Sequence, residues 1–107
     1  MDVQLKRGFL DVCVLAVLQK GDSYGYKIIK DVSFIVEISE STLYPILKRL
    51  EAGGFLSVYS NEYNGRLRKY YRITQGGQDR IIEFLQEWKD LQVIYNFING
   101  GYSNDEN

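Results

Sequence analysis

Six apolar residues toward the end of the chain, Ile81, Phe84, Trp88, Leu91, Tyr95 and Ile98, step by 3, 4, 3, 4 and 3. That is the seam spacing of a helix lying lengthwise on a partner helix. Leu85, Ile94 and Phe97 widen the stripe. A helix running from about Gln78 to Ile98 is long for a chain of 107 residues to cover with its own surface. The pattern therefore predicts a seam shared between two copies of the chain. The competing reading keeps the stripe inside the subunit's own core.

The elements upstream are shorter. From about Leu5 to Lys20 the chain reads as a helix apolar on most faces, with Gly21 as its stop. Asp22 or Ser23 is placed to cap a second helix, roughly Tyr24 to Ser33. "FIVEIS" is open between a short strand and a loop. A third helix follows, capped by Ser39 or Ser41, with Leu43, Ile46, Leu47 and Leu50 as its buried stripe and Gly53-Gly54 as its end. It carries Pro45, the one proline in the chain. With Ser41 as cap the proline falls at the edge of the first turn; with Ser39 it lies beyond and should bend the helix. "FLSVYS" and "RLRKYYRIT" are β-prone runs on either side of Asn64-Gly65, a hairpin signal, with a loop expected to exceed two residues. Alternation puts Leu67, Lys69, Tyr71 and Ile73 on one face, and Arg68, Tyr70 and Arg72 on the other. A glycine pair then leads into the last helix.

Three helices, a hairpin and a long final helix give a mostly α fold with a small β-hairpin. The order is that of a winged helix-turn-helix with a C-terminal dimerisation helix. The expected division is a DNA-binding domain over 1–75, a dimerisation helix over 76–99 and a flexible tail over 100–107.

Composition removes several chemistries. There is no histidine, which excludes His-based triads and His metal ligands, and one cysteine cannot assemble a thiolate zinc site or an internal disulfide. "GDSYG" at 21–25 satisfies the nucleophile-elbow spacing, but without a histidine or a preceding strand it is no hydrolase motif. No enzyme, cofactor or metal is expected. A buried Cys13 fits a cytoplasmic protein, and neither signal peptide nor membrane anchor is expected.

Net charge is -1, yet the charges are sorted. Residues 41–72 hold Lys48, Arg49, Arg66, Arg68, Lys69 and Arg72 against Glu51 and Glu62, while the flanks are neutral to acidic. The positive island coincides with the third helix and the hairpin, the elements of this fold that meet a groove and a phosphate backbone.

"STLYPILKRLEAGGFL" followed by "GRLRKYYRIT", with "DSYGYKIIK" upstream, resembles the PadR family of transcriptional regulators over about residues 5–100. The resemblance implies a dimeric winged-helix repressor on a double-stranded DNA operator, whose C-terminal helix dimerises, often against the partner's first helix. The recognition helix would be about 41–53 and the wing 55–73. Tyr24 and Tyr26 would approach phosphates; Ser41, Thr42, Tyr44 and Lys48 would face the groove; Arg66, Arg68, Lys69 and Tyr70 would line the wing. Ser41 stands where many relatives have glycine, and Glu40 adds a negative charge beside the groove. Tyr44 is balanced between groove and core, Arg49 joins Lys48 as a groove-side cation, and Tyr71 reads as packing. Trp88 reads first as a packing residue of the seam and second as a seat for a small aromatic effector that acts as inducer. The rival to a repressor is a dimeric winged-helix module that binds protein and not DNA.

Overall fold

A computed structural model describes residues 2–101. Helix α1 spans Val3–Gln19, and Asp2 caps it by accepting from the Gln4 amide. Helix α2 spans Gly25–Val32 and α3 spans Glu40–Ala52. Strands β1, Leu56–Tyr63, and β2, Arg66–Ile73, form the hairpin, and α4 runs over Gln75–Ile98. The segment containing "FIVEIS" forms no strand; it links α2 to α3 and sends Ile38 into the core.

Several local expectations change. Neither Asp22 nor Ser23 caps α2: the cap position is Tyr24, whose side chain makes no capping bond. Residues 22 and 23 are instead drawn toward β2, where Ser23 and Tyr71 exchange both backbone hydrogen bonds at 3.1 and 2.7 Å. Ser39 is the cap of α3, so Pro45 lies past the first turn. It removes one backbone donor, the one that would have reached the Ser41 carbonyl, and it is exposed, so water can satisfy that oxygen.

The hairpin loop is shorter than expected. Tyr63 pairs with Arg66, leaving Asn64-Gly65 as the whole turn, at φ of 53° and 78°. Two consecutive positive angles are the signature of a type I′ turn, whose twist matches the strands it joins. The register then follows without a bulge, from Leu56 opposite Ile73 to Tyr63 opposite Arg66. Helix α4 starts earlier than expected and contains the glycine pair. Thr74 caps it, accepting from the Gly77 amide at 3.1 Å while donating to the Gly54 carbonyl at 2.6 Å. Gly77 is required by packing, because a Cβ there would strike the Phe55 carbonyl and come within 2.6 Å of Ile73.

One core joins the elements. Leu10, Val14, Leu15 and Leu18 of α1 meet Ile28 and Val32 of α2, and Leu43, Ile46, Leu47 and Leu50 of α3. Leu56 and Tyr71 bring in the root of the hairpin, and Ile81 brings in the first turns of α4. Tyr71 is thus a packing residue, as expected. The molecule measures 69 × 26 × 21 Å, long because the C-terminal part of α4 runs beyond the body. Residues 100 and 101 follow α4; the rest of the expected tail, 102–107, lies outside the described residues.

Candidate nucleic-acid interface

The buried stripe of α3 fixes its outer face. With Leu43, Ile46, Leu47 and Leu50 inward, helical periodicity turns Ser41, Pro45 and Lys48 outward, with Thr42 and Tyr44 on opposite flanks. All five are exposed. Ser41 and Thr42 hydroxyls lie 2.9 and 3.3 Å from that of Ser39, a small cluster at the helix start. Arg49, seven residues after Thr42, shares its flank, but its guanidinium pairs with Asp11 of α1 and ties α3 to α1. The periodicity of α3 held the signal, since Arg49 falls on the Thr42 flank and not beside Lys48.

Tyr44 is both outward and structural. It is 45% exposed, but its ring leans over the start of α2 and its hydroxyl occupies the space that a Cβ on Gly25 would need. That close approach explains the glycine in "SYGY". Next to Gly25 is Tyr24, whose ring faces the hairpin. Tyr26, one residue further on, is exposed and has no such contact among the described residues.

The hairpin register sorts the wing residues by face. Arg66, Arg68, Tyr70 and Arg72 share a face with Tyr59, Asn61 and Tyr63 of β1. Lys69 is on the other face with Leu67 and Ser60, so the four wing residues singled out from the sequence are not brought together as a set. Arg68 is the centre of the first face. Its guanidinium carbon lies 3.8 Å from the ring centroids of both Tyr24 and Tyr63, and one of its nitrogens is 3.4 Å from the Tyr70 hydroxyl. Tyr70 is edge-on to Tyr24 and stacked on Tyr59. A guanidinium between two phenol rings keeps its charge and loses rotational freedom, so it is presented in one place.

The same face is anchored at its base by Asp22. The Tyr59 hydroxyl donates to its carboxylate at 2.6 Å, and Arg72 donates at 2.9 and 3.0 Å. Hydrogen bonds from Arg72 and Tyr59 hold the Asp22 carboxyl below the ordinary carboxylate range. The bond to Asp22 pushes the Tyr59 phenol up. Burial pushes the Tyr71 phenol up as well. Asp22, Ser23 and Tyr24 therefore grip the wing with a carboxylate, a backbone bridge and a ring in succession. Sequence reasoning assigned Asp22 and Ser23 to capping and did not single out Tyr59, Tyr63 or Arg72 as site residues. The alternation of Tyr59 and Tyr63 opposite Arg66, Arg68 and Tyr70 was available once Asn64-Gly65 is taken as the complete turn.

The C-terminal stripe divides along its length. Ile81 is 7% exposed and belongs to the subunit's own core. Phe84 and Trp88 flank Phe9 of α1, each with a centroid 5.4 Å from it at a steep angle. Trp88 thus packs within its subunit on one side and is open on the other. Leu91, Tyr95 and Ile98 are exposed, as are Leu85 and Ile94. Among the described residues no helix is long and apolar enough to cross a membrane, and no three His, Cys, Asp or Glu residues gather as metal ligands.

Comparison with known proteins agrees with this arrangement. The family described as "Transcriptional regulator PadR-like family" matches residues 14–83. The chain is 36% identical over 66 residues to the Mycobacterium tuberculosis protein named transcriptional regulator Rv3488, covering 62% of this chain and 59% of that one. A PadR family transcriptional regulator from Eggerthella lenta superposes with a TM-score of 0.79 at 32% identity, over 90% of this chain and 86% of that chain. Bacillus subtilis PadR, in a crystal structure with operator DNA, gives a TM-score of 0.65 at 26% identity, over 71% of this chain and 46% of that one.

Proposed function

The chain belongs to the PadR-like family of transcriptional regulators, which are not enzymes, and from that membership we propose that it is a dimeric, DNA-binding repressor. In this reading α3 enters the major groove through Ser41, Thr42, Tyr44 and Lys48, and the wing lies on the backbone through Arg66, Arg68 and Tyr70. Tyr24 and Tyr26 add phosphate contacts from the start of α2. The body up to about residue 75 carries the DNA contacts, and 76–99 carries the second subunit.

One observation carries the reading. Tyr44 rests on the backbone of Gly25, Tyr24 immediately precedes Gly25, and the Tyr24 ring stacks on Arg68, so α3, the start of α2 and the wing are linked contact to contact. A surface that must match a rigid duplex gains from parts that cannot shift relative to one another. The match of a Bacillus subtilis relative crystallised on operator DNA supports the same use.

The dimer is supported by α4. Leu85, Leu91, Ile94 and Ile98 are half to three-quarters exposed on a helix that leaves the body, and a groove of about 460 Å³ runs along Trp88, Leu91, Ile94 and Ile98. A partner's helix is the occupant such a stripe fits. The open side of Trp88 then faces the seam, where a flat aromatic effector would stack.

Sedimentation and a salt-dependent gel shift on the promoter of its own or a neighbouring gene test this together. A dimer should protect two half-sites about 34 Å apart on a roughly palindromic site. A lone subunit at micromolar concentration, or a dimer that shifts no DNA at low salt, refutes it. The second outcome favours the protein-binding module, which the overall charge of -1 and the exposed Glu40 at the start of α3 also favour.

A further inference from the structure

A groove of about 640 Å³ lies between α1 and α2, on a part of the body that neither the groove-facing side chains of α3 nor the apolar stripe of α4 lines. Its walls are mainly apolar, from Cys13, Val17 and Val32, with Phe34 and Ile35 at the lip. Those two lip residues are adjacent and 84% and 78% exposed, a bare apolar pair beside the groove.

Two polar features break the apolar lining. Ser23 is 4% exposed and its hydroxyl has no hydrogen-bond partner among the described residues, although a buried hydroxyl without one is costly. At the rim, Lys27 is paired with Asp31, and Asp22 is committed to Arg72 and Tyr59. Lys20 makes no ion pair among the described residues, so the rim's uncommitted charge is positive.

We propose that this groove binds a small apolar carboxylate, its chain against Val17, Phe34 and Ile35 and its head on Lys20 at the rim. An apolar cleft of this size with few convergent polar groups is the usual form of a small-ligand site. Occupancy is reported to the wing, because Ser23 is bridged to Tyr71 through its backbone and its neighbours hold Arg72 and Arg68. That this alters DNA affinity rests on the DNA-binding reading; the binding itself does not.

The test titrates the isotope-labelled full chain with octanoate and, separately, octanol, reading amide shifts without DNA. The expected result is saturable movement at Lys20, Ser23, Val32 and Ile35, extending to Tyr59 and Arg72, with octanol at least tenfold weaker. Lys20→Glu and the double change Phe34→Ala/Ile35→Ala, all at exposed positions that leave the fold intact, should each weaken octanoate at least fivefold. Equal binding of octanol, shifts centred on Trp88 and Leu91, no saturation, or variants that bind as the parent does would each overturn the proposal. A chain that binds octanoate and shifts no DNA would leave the site standing and remove the repressor reading.

Discussion

Replacing Arg68 with alanine separates a phosphate contact from a structural one. The α3 face and the Tyr24-side face of the wing offer Lys48, Arg66 and Arg68 as cations whose charge no carboxylate neutralises among the described residues. Arg49 and Arg72 are each committed to an aspartate. In the proposed dimer two subunits would bring six such cations to the duplex, and counterion release would give log affinity a slope of about -5.4 against log salt. Arg68→Ala removes two of them, so the slope should fall to about -3.6. Raising salt from about 50 to about 200 mM should cost the parent roughly a thousandfold in affinity and the variant roughly a hundredfold. Fluorescence anisotropy on one operator and one unrelated duplex reads both numbers. Both duplexes should lose affinity alike, because a phosphate contact carries no sequence information. Arg68→Lys keeps the charge but not the planar fit between Tyr24 and Tyr63, so it should keep the slope while losing affinity. Arg72→Ala should leave the slope near that of the parent. An unchanged slope in Arg68→Ala, or loss confined to the operator, would show that Arg68 holds the wing together without touching phosphate.

Gly25→Ala forces the Tyr44 ring away from the start of α2; overpacking of this kind costs about 1–3 kcal/mol, and a calorimetric scan should show a lower midpoint that Tyr44→Ala restores in the double variant. Leu91→Asp with Ile94→Asp, both at exposed positions, should leave the circular dichroism of the body intact and turn the sedimenting species into a monomer. The Asp22 carboxyl titrates below its unfolded value of about 3.9, so the stability it adds is fully present above that pH and is lost as pH falls through the folded value. Asp22→Asn should therefore lower stability at neutral pH and flatten the acid limb of a denaturation series. In that variant the Tyr59 phenol, raised mainly by its bond to Asp22, should ionise at lower pH in an absorbance titration than it does in the parent. Lys69→Ala, across the wing from Arg68, should change DNA affinity less than Arg68→Ala.

Local pattern was enough to determine the order of elements, the inward stripe of α3 and the faces of β2, because each depends on residues within a few positions of one another. It also held the hairpin register: Asn64-Gly65 satisfies both positive-φ positions of a two-residue turn, and the expectation of a longer loop hid the pairing of Tyr59 with Tyr70. What sequence could not determine was the use of residues 22–24. Asp22 and Ser23 look like helix caps because local capping is the commonest role for those residue types before a helix. In the folded chain Asp22 reaches Arg72, Ser23 bridges Tyr71 and Tyr24 stacks on Arg68, partners more than forty positions away. Likewise Ile81 and Leu91 belong to one heptad stripe, and only the packing of α4 on α1 buries the first and leaves the second bare. Periodicity states which residues share a face; which part of that face finds a neighbour depends on where the body ends, and that is a property of the assembled core.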